Sequence, residues 1–311
     1  MRAEKIDFMP PLIARKHERM SLKKFNLRDL IADAADLLRQ AGIEDSRREA
    51  RFLAAWALQI DLTALLTRDV MSEDAAKRFQ QAVDRRRMRE PMALITGRTG
   101  FWTLDLAVSP ATLVPRGDSE TLIEALLEAR PERQSRLHIL DLGTGTGCLL
   151  LAALAEYPNA FGVGVDMSAD AAVLASRNAA GNGLRERSAF LCGHWADALQ
   201  GRFDVVLSNP PYIETDVISS LMPEVRIFEP ARALDGGTDG LDAYRLLIGA
   251  LGRLLTDDGL AIFELGQGQD EDVARLALDM ELRVRGVRKD LGGIGRALLI
   301  ERNAGPAVEF K

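Results

Sequence analysis

Leu137-His138-Ile139-Leu140-Asp141-Leu142, followed by Gly143-Thr144-Gly145-Thr146-Gly147 and then Cys148-Leu149-Leu150-Leu151-Ala152-Ala153-Leu154, decides the fold. The first run is apolar and has the length of a buried strand. The glycines break it, and the last run begins a helix. Strand, glycine turn and helix in that order open a doubly wound sheet, in which a nucleotide lies against bare backbone. A second strand, Phe161 to Asp166, ends in a carboxylate. Asp166 is thereby placed to accept hydrogen bonds from both hydroxyls of a ribose.

The glycine spacing narrows the ligand. A dinucleotide fingerprint needs a glycine three residues after Gly145, where this chain has Cys148, and no Gly-Lys-Ser/Thr ending marks a P-loop. Asp141 ahead of Gly143, Thr144, Gly145, Thr146 and Gly147 fits instead a cofactor that carries an ammonium and no pyrophosphate. S-adenosylmethionine is such a cofactor. Asp141 and Asp166 also have a plain reading as helix caps, but together, in phase with the glycines, they favour the ligand.

A second motif, Asn209-Pro210-Pro211-Tyr212, directly follows the strand-like run Phe203 to Ser208. Two prolines remove two donors and fix two φ angles, so the Asn209 side chain and the neighbouring carbonyls are held rigidly at the mouth of a sheet. Such a loop suits a planar NH2 whose two hydrogens are gripped while its nitrogen is aimed at an electrophile. Asn209, Pro210, Pro211 and Tyr212 are therefore the catalytic candidates. Asn209 Oδ1 and the Pro210 carbonyl serve as acceptors, and no general base is required before transfer.

On these and further stretches the chain resembles the protein-(glutamine-N5) methyltransferases that modify the Gly-Gly-Gln glutamine of peptide chain release factors. The matching stretches cover most of residues 27 to 302 and include Glu90-Pro91, Thr96-Gly97, Phe101-Trp102, Val108 to Arg116, Trp195, Phe228-Glu229-Pro230, Gly240-Leu241 and Glu264-Leu265-Gly266. The glycine loop is common to methyltransferases and Asn-Pro-Pro-Tyr is shared with DNA adenine methyltransferases, so the specific part is Phe101 to Arg116. One departure is Arg116-Gly117-Asp118-Ser119-Glu120, where the family usually has Pro in place of Gly117 and Thr in place of Ser119. The resemblance implies a seven-stranded Rossmann-like sheet, S-adenosylmethionine as methyl donor, a release factor as protein substrate, and Trp195 against the adenine. A packing anchor is the alternative use of that indole.

The organisation follows from composition along the chain. Residues 1–25 carry seven Lys or Arg against three acids and read as a flexible tail, with RNA contact as the sharper alternative. Met20 is a candidate start, since the resemblance begins after it. Residues 26–93 read as a helical domain, which the resemblance makes a substrate-recognition domain: Asn26 caps a first helix that Gly42 stops, Arg48 to Leu58 form a second, and a third runs from Ser72 to before Pro91. Residues 94–117 read as a hairpin linker between domains, from the alternation of Leu104, Leu106 and Val108. Residues 118–311 form the methyltransferase domain, with later strands at Leu260 to Leu265, Leu282 to Val287 and Ala297 to Glu301.

The net charge of -6 and a pI of about 5.3 disfavour a surface built to neutralise the phosphates of duplex DNA. No run of about 18 apolar residues suggests a membrane span, and a cytoplasmic location is expected. The two cysteines, Cys148 and Cys192, read as small buried hydrophobes rather than a disulfide, and the three histidines show no metal spacing. Two catalytic alternatives keep the same acceptor chemistry: an adenine-N6 methyltransferase acting on a flipped base, and a glutamine methyltransferase acting on a ribosomal protein. A noncatalytic binder that retains only the fold is the third.

Overall fold

The computed structural model describes residues 25–303, so residues 1–24 of the basic tail, Met20 among them, lie outside the described residues. The chain divides into two compact units between Thr96 and Gly97.

The first unit is helical. Strand β1 (Phe25–Asn26) leads into α1 (Leu27–Gln40), whose first turn is capped by Asn26 Oδ1 accepting from the Arg28 and Asp29 amides at 3.0 and 3.3 Å. Helix α2 (Ser46–Leu58) follows, then β2 (Val70–Met71), which pairs antiparallel with β1. Ser72 caps α3 (Glu73–Arg87), with acids in its first turn and three arginines in its last, both of which suit the helix dipole. Leu27, Leu38, Leu53, Phe79 and Val83 form a core of this unit's own. The expected hairpin does not begin at Leu94. Residues 94–96 lie in a short helix, α4 (Met92–Thr96), because the Pro91 carbonyl accepts the Ile95 amide at 3.1 Å and starts a helical turn.

In the second unit the hairpin is β3 (Arg98–Phe101) and β4 (Leu104–Ala107), with Trp102 in its turn at a φ of 55°. Phe101, Leu104 and Leu106 are buried in the main core with Leu122, Ile123 and Leu150, so the hairpin packs as part of this unit. Helix α5 (Glu120–Ala129) precedes the alternation of β5 (His138–Leu142), α6 (Cys148–Glu156), β6 (Phe161–Asp166), α7 (Ala169–Gly181), β7 (Ser188–Cys192) and β8 (Phe203–Ser208). After α8 (Pro223–Phe228) and α9 (Asp242–Leu254) come β9 (Leu255–Glu264), α10 (Asp270–Asp279), β10 (Leu282–Lys289) and β11 (Gly295–Arg302).

The seven-stranded sheet has the order β10-β11-β9-β8-β5-β6-β7. Five strands are parallel, and β11 pairs antiparallel with both β9 and β10. The chain moves outward from β5 to β7, then returns to β8 on the other side of β5. That reversal opens a crevice beyond the carboxyl ends of β5 and β8. Asp141 and the glycine loop lie at one end, Asn209 at the other. One expectation fails at the sheet edge: Cys192 is exposed, not buried, because it ends β7, which has a neighbour on one side only. Among the described residues, no helix is long and apolar enough to cross a membrane.

Candidate active site

The glycine loop is anchored to the end of β6. The amides of Gly143 and Thr144 both donate to the Val165 carbonyl, at 2.9 and 3.0 Å. Gly143 has a φ of +75°, and a Cβ there would lie 3.3 Å from the Trp195 ring. Both the turn and the indole therefore require glycine at 143. Gly147, at φ +83°, faces the other way, against Ala175 and Leu151 of the core.

Around this loop the crevice opens as a cleft beyond the carboxyl ends of the strands, where a doubly wound sheet takes its ligands. Asp141, Gly143, Thr144, Gly145, Thr146, Asp166, Trp195, Asn209 and Pro211 all line it. Gly147, Pro210 and Tyr212 are not among the lining residues. Pro210 is buried, and the Tyr212 ring packs against the core cluster of Tyr244, Phe263 and Leu265.

Asp141 is a strongly perturbed group in the cleft. Burial pushes its carboxyl up to about 7, the charge of Asp166 adds to the rise, and the Thr144 hydroxyl opposes it. That hydroxyl donates to Asp141 Oδ2 at 2.7 Å, while Asp141 Oδ1 is buried without a hydrogen-bond partner. A buried acceptor of this kind is costly unless a donor, best a cation, arrives to meet it. An ammonium placed against Oδ1 would supply both hydrogens and charge.

Asp166 already holds backbone. Its Oδ2 accepts from the Gly145 amide and its Oδ1 from the Ser168 amide, both at 2.9 Å. A carboxylate has further lone pairs, so these bonds fix the side chain at the cleft wall and leave acceptor capacity for ligand hydroxyls. Trp195, at a φ of 44°, packs edge-to-face with His194 at 6.4 Å between ring centres.

At the opposite wall, Ser208 Oγ donates to the Leu142 carbonyl at 2.6 Å, which locks the end of β8 to the end of β5 just before Asn209. Asn209 Nδ2 donates to Ser119 Oγ at 3.2 Å. The amide's acceptor atom, Oδ1, is left for a ligand. The Tyr212 carbonyl accepts from Gln269 Nε2 at 3.0 Å, and the Tyr212 hydroxyl donates to Glu264 Oε1 at 3.3 Å. Burial raises Glu264 above the usual carboxylate range, opposed by Ser119, Arg296, Tyr212 and Arg116.

The structure adds a third wall. Residues 111–116 run past the glycine loop, bringing Ala111, Thr112, Leu113, Pro115 and Arg116 into the cleft lining. Arg116 pairs with Glu229 at 2.9 Å, which gives Phe228-Glu229-Pro230 a role in holding this segment, and Arg232 donates to the Ala111 carbonyl at 2.6 Å. The buried Asn178 side chain ties the segment's root to the glycine loop. It accepts from the Ala107 amide at 2.8 Å and donates to the carbonyls of Ala107 and Thr146 at 3.0 and 2.9 Å. Gly117 in place of Pro leaves a short 3-10 turn over Gly117–Ser119, and Glu120 Oε1 accepts from the Trp102 amide at 2.6 Å. Thr112 and Ser119 lie inside the stretches Val108 to Arg116 and Arg116 to Glu120 but were given no role there, and Asn178 and Arg232 belonged to no motif. Asn178 sits in a helix of ordinary composition and Arg232 shortly after Phe228-Glu229-Pro230, with no further signal in the sequence.

Comparison with known proteins gives two family matches, the PrmC N-terminal domain over residues 29–97 and the methyltransferase small domain over residues 117–237. The chain is 46% identical over 269 residues to the release factor glutamine methyltransferase of Rhodospirillum rubrum, covering 86% of this chain and 82% of that protein. Proteins of the same name from Bradyrhizobium diazoefficiens and Agrobacterium fabrum are 44% and 41% identical, covering 84% and 88% of this chain and 90% and 96% of theirs. By its identity to these proteins along nearly their whole length, this chain belongs to the release factor glutamine methyltransferase family.

Proposed function

We infer that this chain transfers a methyl group from S-adenosylmethionine to the side-chain amide nitrogen of the Gly-Gly-Gln glutamine of peptide chain release factors. The observation that carries this reading is the Asn209 carboxamide. Its NH2 is committed to Ser119, so it offers an oxygen acceptor in the same cleft as Asp141 and Asp166. S-adenosylmethionine, when bound, supplies a methyl group made electrophilic by its sulfonium.

The chain's own residues bind, orient and desolvate. The unpaired Asp141 Oδ1 suits the ammonium, Asp166 the ribose hydroxyls, and Leu149, Val165, Met167 and Trp195 the apolar surface of the adenosine. An amide nitrogen is a poor nucleophile because its lone pair is delocalised. Asn209 Oδ1, with the Pro210 carbonyl as second acceptor, holds the two N–H groups of the glutamine and favours a more pyramidal nitrogen whose lone pair points along the line of transfer. Positioning of this kind removes an entropic barrier that reaches roughly 7 to 11 kcal/mol in well-oriented systems. Proton loss follows transfer.

The test compares acceptors. With labelled S-adenosylmethionine, the enzyme is expected to label a purified release factor, and to label neither its Gln-to-Ala variant in the Gly-Gly-Gln motif nor duplex DNA. Label on DNA, or undiminished label on the glutamine-free factor, would reject the assignment.

A further inference from the structure

Glu264, at the end of β9, is a buried carboxylate that takes no direct part in the reaction described above, with a relative exposure of 3%. Its Oε2 accepts the Ser119 hydroxyl at 2.5 Å, and its Oε1 accepts the Tyr212 hydroxyl at 3.3 Å. Ser119 Oγ in turn accepts from Asn209 Nδ2 at 3.2 Å. One carboxylate thus holds both ends of the Asn-Pro-Pro-Tyr loop, directly at Tyr212 and through Ser119 at Asn209.

The direction of these bonds matters more than their number. Ser119 Oγ is the donor in its bond to Glu264 Oε2, so its single hydroxyl hydrogen points at Glu264. Ser119 then presents only lone pairs to Asn209, and only the NH2 side of a carboxamide can meet lone pairs. The amide is fixed with Nδ2 toward Ser119 and Oδ1 as the atom available to a ligand. Turned over, it would offer two donors to a substrate NH2 that has only donors to give.

We propose that Glu264 and Ser119 are positioning residues that set which way the Asn209 carboxamide faces, so that the substrate amide meets an acceptor. The proposal rests on the glutamine-methylation reading above. It assigns to Ser119, a small residue of the cleft lining, an effect on rate that acts through Asn209. Ser119→Thr retains the hydroxyl and its direction, whereas Ser119→Ala frees the amide to flip. Glu264→Gln replaces an acceptor-only group with one able to donate, which permits the Ser119 hydroxyl to turn toward Asn209.

The experiment measures methyl transfer by the full-length enzyme to a purified release factor, with steady-state kcat and KM, cofactor affinity by calorimetry and melting temperature, for wild type and the three variants. Ser119→Ala is expected to lower kcat on the order of ten- to a hundredfold, with the release-factor KM and the cofactor affinity changed by no more than about twofold. Ser119→Thr is expected to keep at least half of the wild-type kcat, and Glu264→Gln to fall with Ser119→Ala. A wild-type kcat in Ser119→Ala, no rescue by threonine, or a loss of cofactor affinity in step with kcat would each overturn the proposal. A wild-type enzyme that leaves the release factor unmethylated would instead remove the underlying functional reading.

Discussion

Asp141 holds its charge under strain: the carboxyl is buried, pushed up to about 7, and one of its oxygens has no partner. Because its folded pKa lies above its unfolded value, its contribution to folding is fully present below the unfolded value near 3.8 and is lost as pH rises toward about 7. Ligand binding runs the opposite way, since an ammonium pairs with the ionised form. S-adenosylmethionine affinity is therefore expected to rise by up to about tenfold per pH unit below pH 7 and to level off above it. Calorimetry across this range checks it, and Asp141→Asn should abolish the slope. Asp166 makes a separate prediction. Asp166→Ala should weaken cofactor binding by about 1 to 3 kcal/mol, as expected for losing charge-assisted hydrogen bonds; unchanged affinity in a folded variant would reduce Asp166 to the backbone clamp seen at Gly145 and Ser168. For Asn209, single-turnover rates at saturating cofactor separate chemistry from affinity. Asn209→Ala should slow transfer by orders of magnitude, and Asn209→Asp, which keeps an acceptor, should retain more activity than Ala.

Among the elements, the placement of the candidate residues that lie within a few residues of a strand end was legible in the sequence. Asp141, the glycines and Asp166 sit on consecutive βα units, where local spacing fixes position. What was not legible depends on tertiary contacts. Leu94 and Ile95 suit either a strand or a helix, and the turn begun by the Pro91 carbonyl decided for the helix. Cys192 looked like core from its apolar neighbours Phe190 and Leu191, yet β7 is an edge strand. Ser119 reaches Asn209 across 90 positions of sequence, a link that no local pattern contains. The tie between hairpin and glycine loop through Asn178 belongs to the same class. Asn178→Ala would leave an amide and two carbonyls without that partner, so it should cost about 2 to 3 kcal/mol of stability. Denaturant titration measures this; a cost below about 0.5 kcal/mol would mean that water or neighbouring groups replace the side chain.

At the scale of the whole molecule, the two units have separate cores, with Leu38, Leu53 and Phe79 in one and Leu150, Leu207 and Ile262 in the other. The sequence boundaries at 93 and 117 came from helix signals and from the alternation of Leu104, Leu106 and Val108, whereas the division falls between Thr96 and Gly97 and leaves the hairpin with the methyltransferase sheet. The cleft is built from residues of the second unit only. A fragment starting at Gly97 is therefore expected to fold and bind S-adenosylmethionine; if the helical unit recognises the protein substrate, that fragment should not methylate an intact release factor, and turnover equal to the full chain would place recognition elsewhere. The central claim, that the acceptor is a glutamine amide nitrogen, is tested most directly by peptide mapping of a release factor after incubation with the full-length enzyme and S-adenosylmethionine. The account predicts a single added methyl group, borne on the side-chain nitrogen of the Gly-Gly-Gln glutamine. A methyl group on any other residue, or an unmodified factor beside a methylated nucleic acid, would contradict it.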